Sequence, residues 1–285
     1  MEPFSGSLGD LVGKISRAFD GYVDSFREGG ELPYLLELKR RHSYRVREEA
    51  LAIARSCGLG GEDLLLAFSV GLLHDVGRFP QYKLYRTFND SASADHGELG
   101  AAVLRNELGG LKDLVGSRIW ELTLSSVELH NKRVLPQGLS EEEGFWARLV
   151  RDADRLDVYR VIVGHLERGT IRTIIPRLED TKSPPSDEIV EELLTRHSAD
   201  YSMVKSLGDL LLVQISWAYD MSFHWSAGQV IRRGIVNRIG RFIPQSIGAV
   251  RVIKDVLNWL GKVLSVGPST PSWSPTVNPS GCEIS

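Results

Sequence analysis

The stretch "EDLLLAFSVGLLHDVGRF", residues 62 to 79, constrains the fold more than any other part of the chain. Leu64, Leu65, Leu66, Phe68, Val70, Leu72, Leu73, Val76 and Phe79 leave it almost no polar face. A helix that is apolar all round belongs inside a protein, so residues 62–76 are expected as a core helix. The longest apolar run, "LLLAFSVGLL", is about half a membrane span and predicts no crossing. Yet His74 and Asp75 stand side by side at its end. A buried carboxylate beside a buried imidazole is costly unless something compensates both.

The rest of the pattern is helical too. "YRVREEALAIARSCGLGG" places Val46, Ala50, Ile53, Ala54 and Cys57 at helical spacing, with glycines as a stop. "YKLYRTFNDSASAD" reads as a loop. "HGELGAAVLRNEL" reads as a helix with Asp95 as N-cap and Glu98 three residues on. "VGSRIWELTLSSVELH" is an amphipathic helix, "NKRVLPQGLSEEE" a loop, and "EEEGFWARLVRDADRLDVYRVIVGHL" a long helix opened by acids that suit its dipole. No run alternates as a strand would. The expected class is all-α: an N-terminal helical extension over 1–30, a main helical domain over 31–175, a Pro-rich linker over 176–188, a helical region over 189–264 and a disordered tail over 265–285.

A chain of 285 residues can bury a real core, and its net charge of -3 exerts no general pull on nucleic acid or anionic membrane. The N-terminus "MEPFSGSLGDLVGK" lacks a signal-peptide pattern. Two cysteines, Cys57 and Cys282, make no disulfide framework, and Cys57 is expected as a small buried hydrophobe. The expectation is a soluble, cytoplasmic protein without disulfide dependence.

Four of the seven histidines, His42, His74, His96 and His130, fall near predicted helix ends beside loops, and Asp154 lies in "RDADRLD". Imidazole and carboxylate form the ligand set for first-row divalent metals. A lone His-Asp pair in an apolar helix is more often a hydrogen-bonded structural pair, but here "RRHS" precedes it and "ADHGELGA" follows it.

This order of residues resembles the HD-domain superfamily of metal-dependent phosphohydrolases, from "RRHSYRV" through "LLHDVGRF" to "RDADRLD". The resemblance implies that His42, His74, Asp75 and Asp154 hold a first metal. His96 and His130 match the subset that binds a second, with Asp75 as the bridge. It makes 31–175 an HD-type helical bundle and implies two divalent ions, among Mn, Fe, Ni, Zn and Mg. The expected reaction is hydrolysis of a phosphate ester, of a nucleotide by preference, by a metal-bridging hydroxide. Asp152 is the competing ligand; "ADRL" favours Asp154, leaving Asp152 and Asp157 as supporting groups or surface charges. Asp75 and Arg78 are the expected catalytic residues. Arg78 stands where the phosphodiesterase branch often carries a lysine for phosphate. Lys132 and Arg133 are further candidates for substrate binding.

The same scaffold also resembles mixed-valent di-iron oxygenases, in which the Arg78 position tends to be histidine and a lysine such as Lys132 holds substrate. A third reading is a regulatory protein that binds a nucleotide or polyanion without turnover. Residues 221–264 carry seven basic residues against Asp255, a local charge of +6. The plain alternative is a solvated basic helix face, and no nucleic-acid motif accompanies it. Trp217, Tyr219, Phe223 and Trp225 read as core or a domain seam, and His165, His197 and His224 as ordinary helical histidines. The expected partner is a small phosphorylated substrate, with no membrane.

Overall fold

The apolar stretch is a helix, but a shorter one than its pattern suggested. The computed structural model describes residues 7–175, 178 and 182–265, and among them there are helices and turns but no strand. A single antiparallel bridge pairs Glu28 with Glu31. Residues 1–6, part of the expected linker (176, 177 and 179–181), the tail from 266 onward and Cys282 lie outside the described residues. No helix among the described residues is long and apolar enough to cross a membrane.

The chain divides into two compact units that part between Asp154 and Arg155. The first holds α1 (Ser7–Asp24), α2 (Tyr34–Ser56), α3 (Glu62–Leu73), α4 (Arg78–Tyr85), α5 (His96–Asn106), α6 (Leu111–Val115), α7 (Ser117–Leu129) and the first half of α8 (Glu141–Glu167). Its centre is α3, which packs against α1, α2 and α7 and is buried at every residue from Leu65 to Leu73. Each such Leu, Val or Phe contributes about 1.5–3 kcal/mol when taken from water, which is why this stretch takes the middle. The helix stops at Leu73 rather than at residue 76. Residues 74–77 form a turn, and Pro80 then sits in the first turn of α4, where its missing N–H costs nothing. The expected loop therefore begins only after Tyr85, where Arg86 takes a left-handed conformation.

Local capping follows the sequence closely. Asp95 accepts from the backbone N–H groups of Gly97 and Glu98 at 2.8 and 3.1 Å, starting α5. Ser140 and Glu143 exchange side-chain to backbone bonds at 2.9 and 3.2 Å, starting α8. Cys57 is buried as expected.

The second unit holds the end of α8, then α9 (Asp187–Arg196), α10 (Leu207–Ser216), α11 (His224–Arg232), α12 (Ile235–Gly240) and α13 (Ile247–Ser265). Every residue of α10 is buried, and α9 to α12 each pack on the amphipathic α13. Phe223 is fully buried, and Trp217, Tyr219 and Trp225 pack on this unit's apolar core, so these aromatics are core residues.

Candidate metal centre

Four of the six expected ligands stand at the ends of α3, α5 and α7. His74 and Asp75 follow the last residue of α3, His96 is the first residue of α5, His130 follows the last residue of α7, and Asp154 lies on α8. His42 departs from expectation, because α2 begins at Tyr34 and places it within the helix. Two glycines allow the approach. A Cβ on Gly71 would stand 2.7 Å from Arg47 Cα, so α2 and α3 can lie close enough for His42 to reach His74. A Cβ on Gly77 would stand 2.1 Å from the His96 carbonyl oxygen, so the turn after Asp75 rests on the start of α5.

The six side chains converge. Asp75 Oδ2 lies 3.5 Å from both His42 Nε2 and His74 Nε2. Its other oxygen, Oδ1, lies 3.6 Å from His96 Nε2 and 3.8 Å from His130 Nε2. One carboxylate therefore faces two histidine pairs, one with each oxygen. Within the pairs, His42 Nε2 is 3.2 Å from His74 Nε2, and His96 Nε2 is 3.0 Å from His130 Nε2. Asp154 Oδ1 is 3.0 Å from His42 Nε2 and 3.8 Å from His74 Nε2. Two groupings of possible ligands result: His42, His74 and Asp75, and Asp75, His96 and His130.

The ring nitrogens on the far side decide what these pairs can do. His74 Nδ1 lies 2.9 Å from the Gly71 carbonyl, His130 Nδ1 2.7 Å from the Val127 carbonyl, and His96 Nδ1 2.6 Å from Asp90 Oδ2. Each of those partners accepts a hydrogen, so each ring presents an unprotonated Nε2 to the centre. His96 and His130 then have no hydrogen to share across 3.0 Å. A cation between or beside them removes that repulsion, and this donor set fits a divalent metal.

Charge behaves accordingly. Burial pushes His74 down to about 3 and His96 down to about 4, so both rings are neutral, as ligands must be. Burial would raise Asp75, but Lys39, the surrounding imidazoles and Arg78 hold it well below the ordinary carboxylate range. Asp154 is likewise lowered, against burial, by its contact with His42.

The four histidines and Asp75 are each 6% exposed or less. The open side is marked by the side chains of Asp154 at 28%, Lys39 at 22% and Arg78 at 15% exposure. Arg78 Nη1 donates to Gln81 Oε1, the Phe88 carbonyl and Asp90 Oδ1 at 2.7–2.9 Å, while its Nε lies 3.4 Å from Asp75 Oδ1. Lys132 donates to Asp95 at 2.7 Å and Glu98 at 3.0 Å, and Arg133 is exposed. Asp152 and Asp157 are buried, so neither is a surface charge. His165 bonds Thr170, His197 stacks on Tyr219 and His224 opens α11; all three belong to the second unit and to neither grouping.

Three residues at the site were not singled out in the sequence. Lys39 donates to Asp75 Oδ2 at 2.7 Å. It precedes His42 by three residues on α2, so helical spacing alone places both on one face. Asp90 and Asn131 support His96 and the start of α5 from two loops. Asn131 follows His130 directly, but nothing in the spacing around Asp90 points inward.

Neither a curated protein nor a solved structure matches the chain. Residues 40–159, which include all six converging side chains, match the family model of the HD domain, and HD domains bind divalent metals.

Proposed function

We propose that the protein is a metal-dependent phosphohydrolase that cleaves a phosphate ester of a nucleotide, using two divalent ions. The observation that carries this reading is Asp75, whose two oxygens each face a separate histidine pair. His42, His74, Asp75 and Asp154 would hold one ion, and Asp75, His96 and His130 the other. When bound, divalent ions supply Lewis acidity toward a phosphoryl oxygen and make water acidic enough to ionise near neutral pH.

The chain's own residues do the rest. The acceptors behind His74, His96 and His130 fix each ring, so the inward nitrogens stay unprotonated. Burial of the histidines keeps bulk water off all but the open side. There, Lys39 and Arg78 flank Asp75 and lie 5.6 and 5.8 Å from the Phe88 ring centre. Two cations at the open side suit an incoming phosphate, because phosphoryl transfer is governed by positioning and charge stabilisation. Lys132 is tied to Asp95 and Glu98, and that favours hydrolysis over the oxygenase reading, which needs a lysine for substrate.

The test loads the protein in turn with Mn, Fe, Ni, Zn and Mg. Each form is then assayed against phosphate monoesters, diesters and nucleotides. The expected result is a hydrolytic product that disappears with chelator. No product from any pairing overturns the reading. An oxygen-dependent product with a di-iron spectrum replaces it with the oxygenase, and nucleotide binding without turnover replaces it with a sensor.

A further inference from the structure

Three of the histidines at the centre solve the same problem in two ways. Each must direct a hydrogen on Nδ1 away from the metal side. His74 and His130 follow helix C-termini, where the carbonyl three residues back is free to accept, and both use it. His96 is the first residue of α5. A helix N-terminus offers backbone donors and no such acceptor. Its Nδ1 hydrogen therefore has to go elsewhere, and it goes to Asp90 Oδ2 at 2.6 Å.

Asp90 is itself fixed from the other side. Its Oδ1 accepts from Arg78 Nη1 and from Gln81 Nε2, each at 2.8 Å. Gln81 is fully buried and also donates to Ser93 Oγ and the Ala94 carbonyl, both at 2.9 Å, which pins the loop between α4 and α5. Asn131 Nδ2 reaches Asp90 Oδ2 at 3.3 Å.

We propose that Asp90 is the positioning residue of the second ion's site, setting the tautomer of His96 so that its Nε2 can ligate. The proposal rests on the two-ion reading above. Asp90 touches neither ion nor substrate; it acts through His96. An Asp90→Asn variant makes the logic sharp. Arg78 and Gln81 both present hydrogens to one side of residue 90, so the amide oxygen turns toward them. The NH2 group then faces His96 Nδ1 and can only be satisfied if that nitrogen is unprotonated. The hydrogen moves to Nε2, into the position where the ion must bind.

The experiment compares wild type with Asp90→Asn. Nitrogen-15 NMR of the metal-free proteins reads the His96 tautomer, circular dichroism reads folding, and Mn2+ equilibrium dialysis counts ions and their affinities. Wild type is expected to bind two ions with His96 protonated on Nδ1. Asp90→Asn is expected to carry the Nε2 tautomer, to keep one ion at wild-type affinity, and to bind the other about 10–100-fold more weakly. Two ions at wild-type affinity in Asp90→Asn overturn the role of Asp90. A wild-type protein that binds one ion or none overturns the two-ion reading, and with it this one. If Asp90→Asn fails to fold, the wild-type tautomer decides alone: a hydrogen on Nε2 overturns the proposal and a hydrogen on Nδ1 supports it.

Discussion

Asp75 and Asp209 are both buried carboxylates, 2% and 1% exposed, one in each unit, and they are satisfied in opposite ways. Asp209 sits in the first turn of α10 and accepts only from ordinary donors. Its Oδ1 takes Ser186 N at 2.7 Å and Ser186 Oγ at 3.0 Å; its Oδ2 takes Lys205 N at 3.0 Å and Ser206 N at 3.1 Å. Ser206 returns the contact in a capping box. Both oxygens are therefore satisfied within the chain. Asp75 has one Lys39 hydrogen at 2.7 Å and Arg78 Nε at 3.4 Å, and is otherwise ringed by imidazole nitrogens at 3.5–3.8 Å. A carboxylate that closes a cap is structural. A carboxylate facing four ring nitrogens, three of which have no hydrogen to give it, is arranged for a cation.

The same substitution in both places should therefore break different properties. Asp75→Asn keeps the shape and an acceptor for Lys39 but removes the charge that the ions share. Turnover should fall by about a thousandfold or more, given several kcal/mol of charge stabilisation and about 1.4 kcal/mol per tenfold in rate. Wild type at a metal concentration of about 100 times Kd should gain about 2.7 kcal/mol of stability. Asp75→Asn should lose most of that gain while its metal-free stability stays within about 1 kcal/mol of wild type. Steady-state assays and urea unfolding with and without Mn2+ check both halves. A mutant that keeps turnover, or that unfolds without metal being involved, would place Asp75 with Asp209 as a structural group.

Asp209→Asn should do the reverse. The new NH2 group must face two N–H or O–H donors, leaving buried donors without partners at about 1–3 kcal/mol each. Unfolding of the second unit should be easier by about 2–4 kcal/mol, while the metal count stays at the wild-type value. Metal loss in this variant would mean that the contrast between the two carboxylates is wrong.

How much of this contrast was legible in the sequence differs by element. The polar pair in an apolar helix marked α3 and its end, and Asp95 marked the start of α5, because burial and capping are local properties. The six side chains that converge were all visible as residue types in order. Asp90 was not, since "TFNDSASAD" shows a polar loop without saying which carboxylate turns inward. That is decided by Gln81 and Asn131, which reach it from elements nine and forty-one residues away. The early stop of α3 was also hidden, because the apolar pattern runs on through Val76 and Phe79 while Pro80 restarts the helix. Lys132 looked like a free loop cation, and only the fold shows Asp95 and Glu98 beneath it.

Acid should sharpen the contrast from another direction. Burial would raise Asp209, but the hydrogen bonds from Ser186, Lys205 and Ser206 hold it below the ordinary carboxylate value. A carboxylate lowered in the folded state contributes stability that is fully present above its unfolded value, about 4. That contribution is lost as pH falls through the lower folded value. Wild type should therefore lose stability below about pH 4, and Asp209→Asn should lose less over the same window. Urea midpoints between neutral and acid pH measure this. Parallel slopes for the two proteins would show that the cap carries no linked proton.

The smallest effect expected is at Lys132, and it tests where the centre ends. Its ammonium is part-exposed and bonded to Asp95 and Glu98, both in or beside the first turn of α5. Ion pairs of that exposure contribute about 0–1 kcal/mol, so Lys132→Met should change KM and kcat by no more than about fivefold. Metal content should not change, because Asp95 keeps its cap on Gly97 and Glu98 without the lysine. A KM increase of tenfold or more with kcat and metal content preserved would mean that the lysine leaves those acids to reach substrate. The centre's open side would then extend past Lys39 and Arg78 to the loop after α7. Lys132 would then serve substrate rather than α5, and an oxygenase would compete with the hydrolase again.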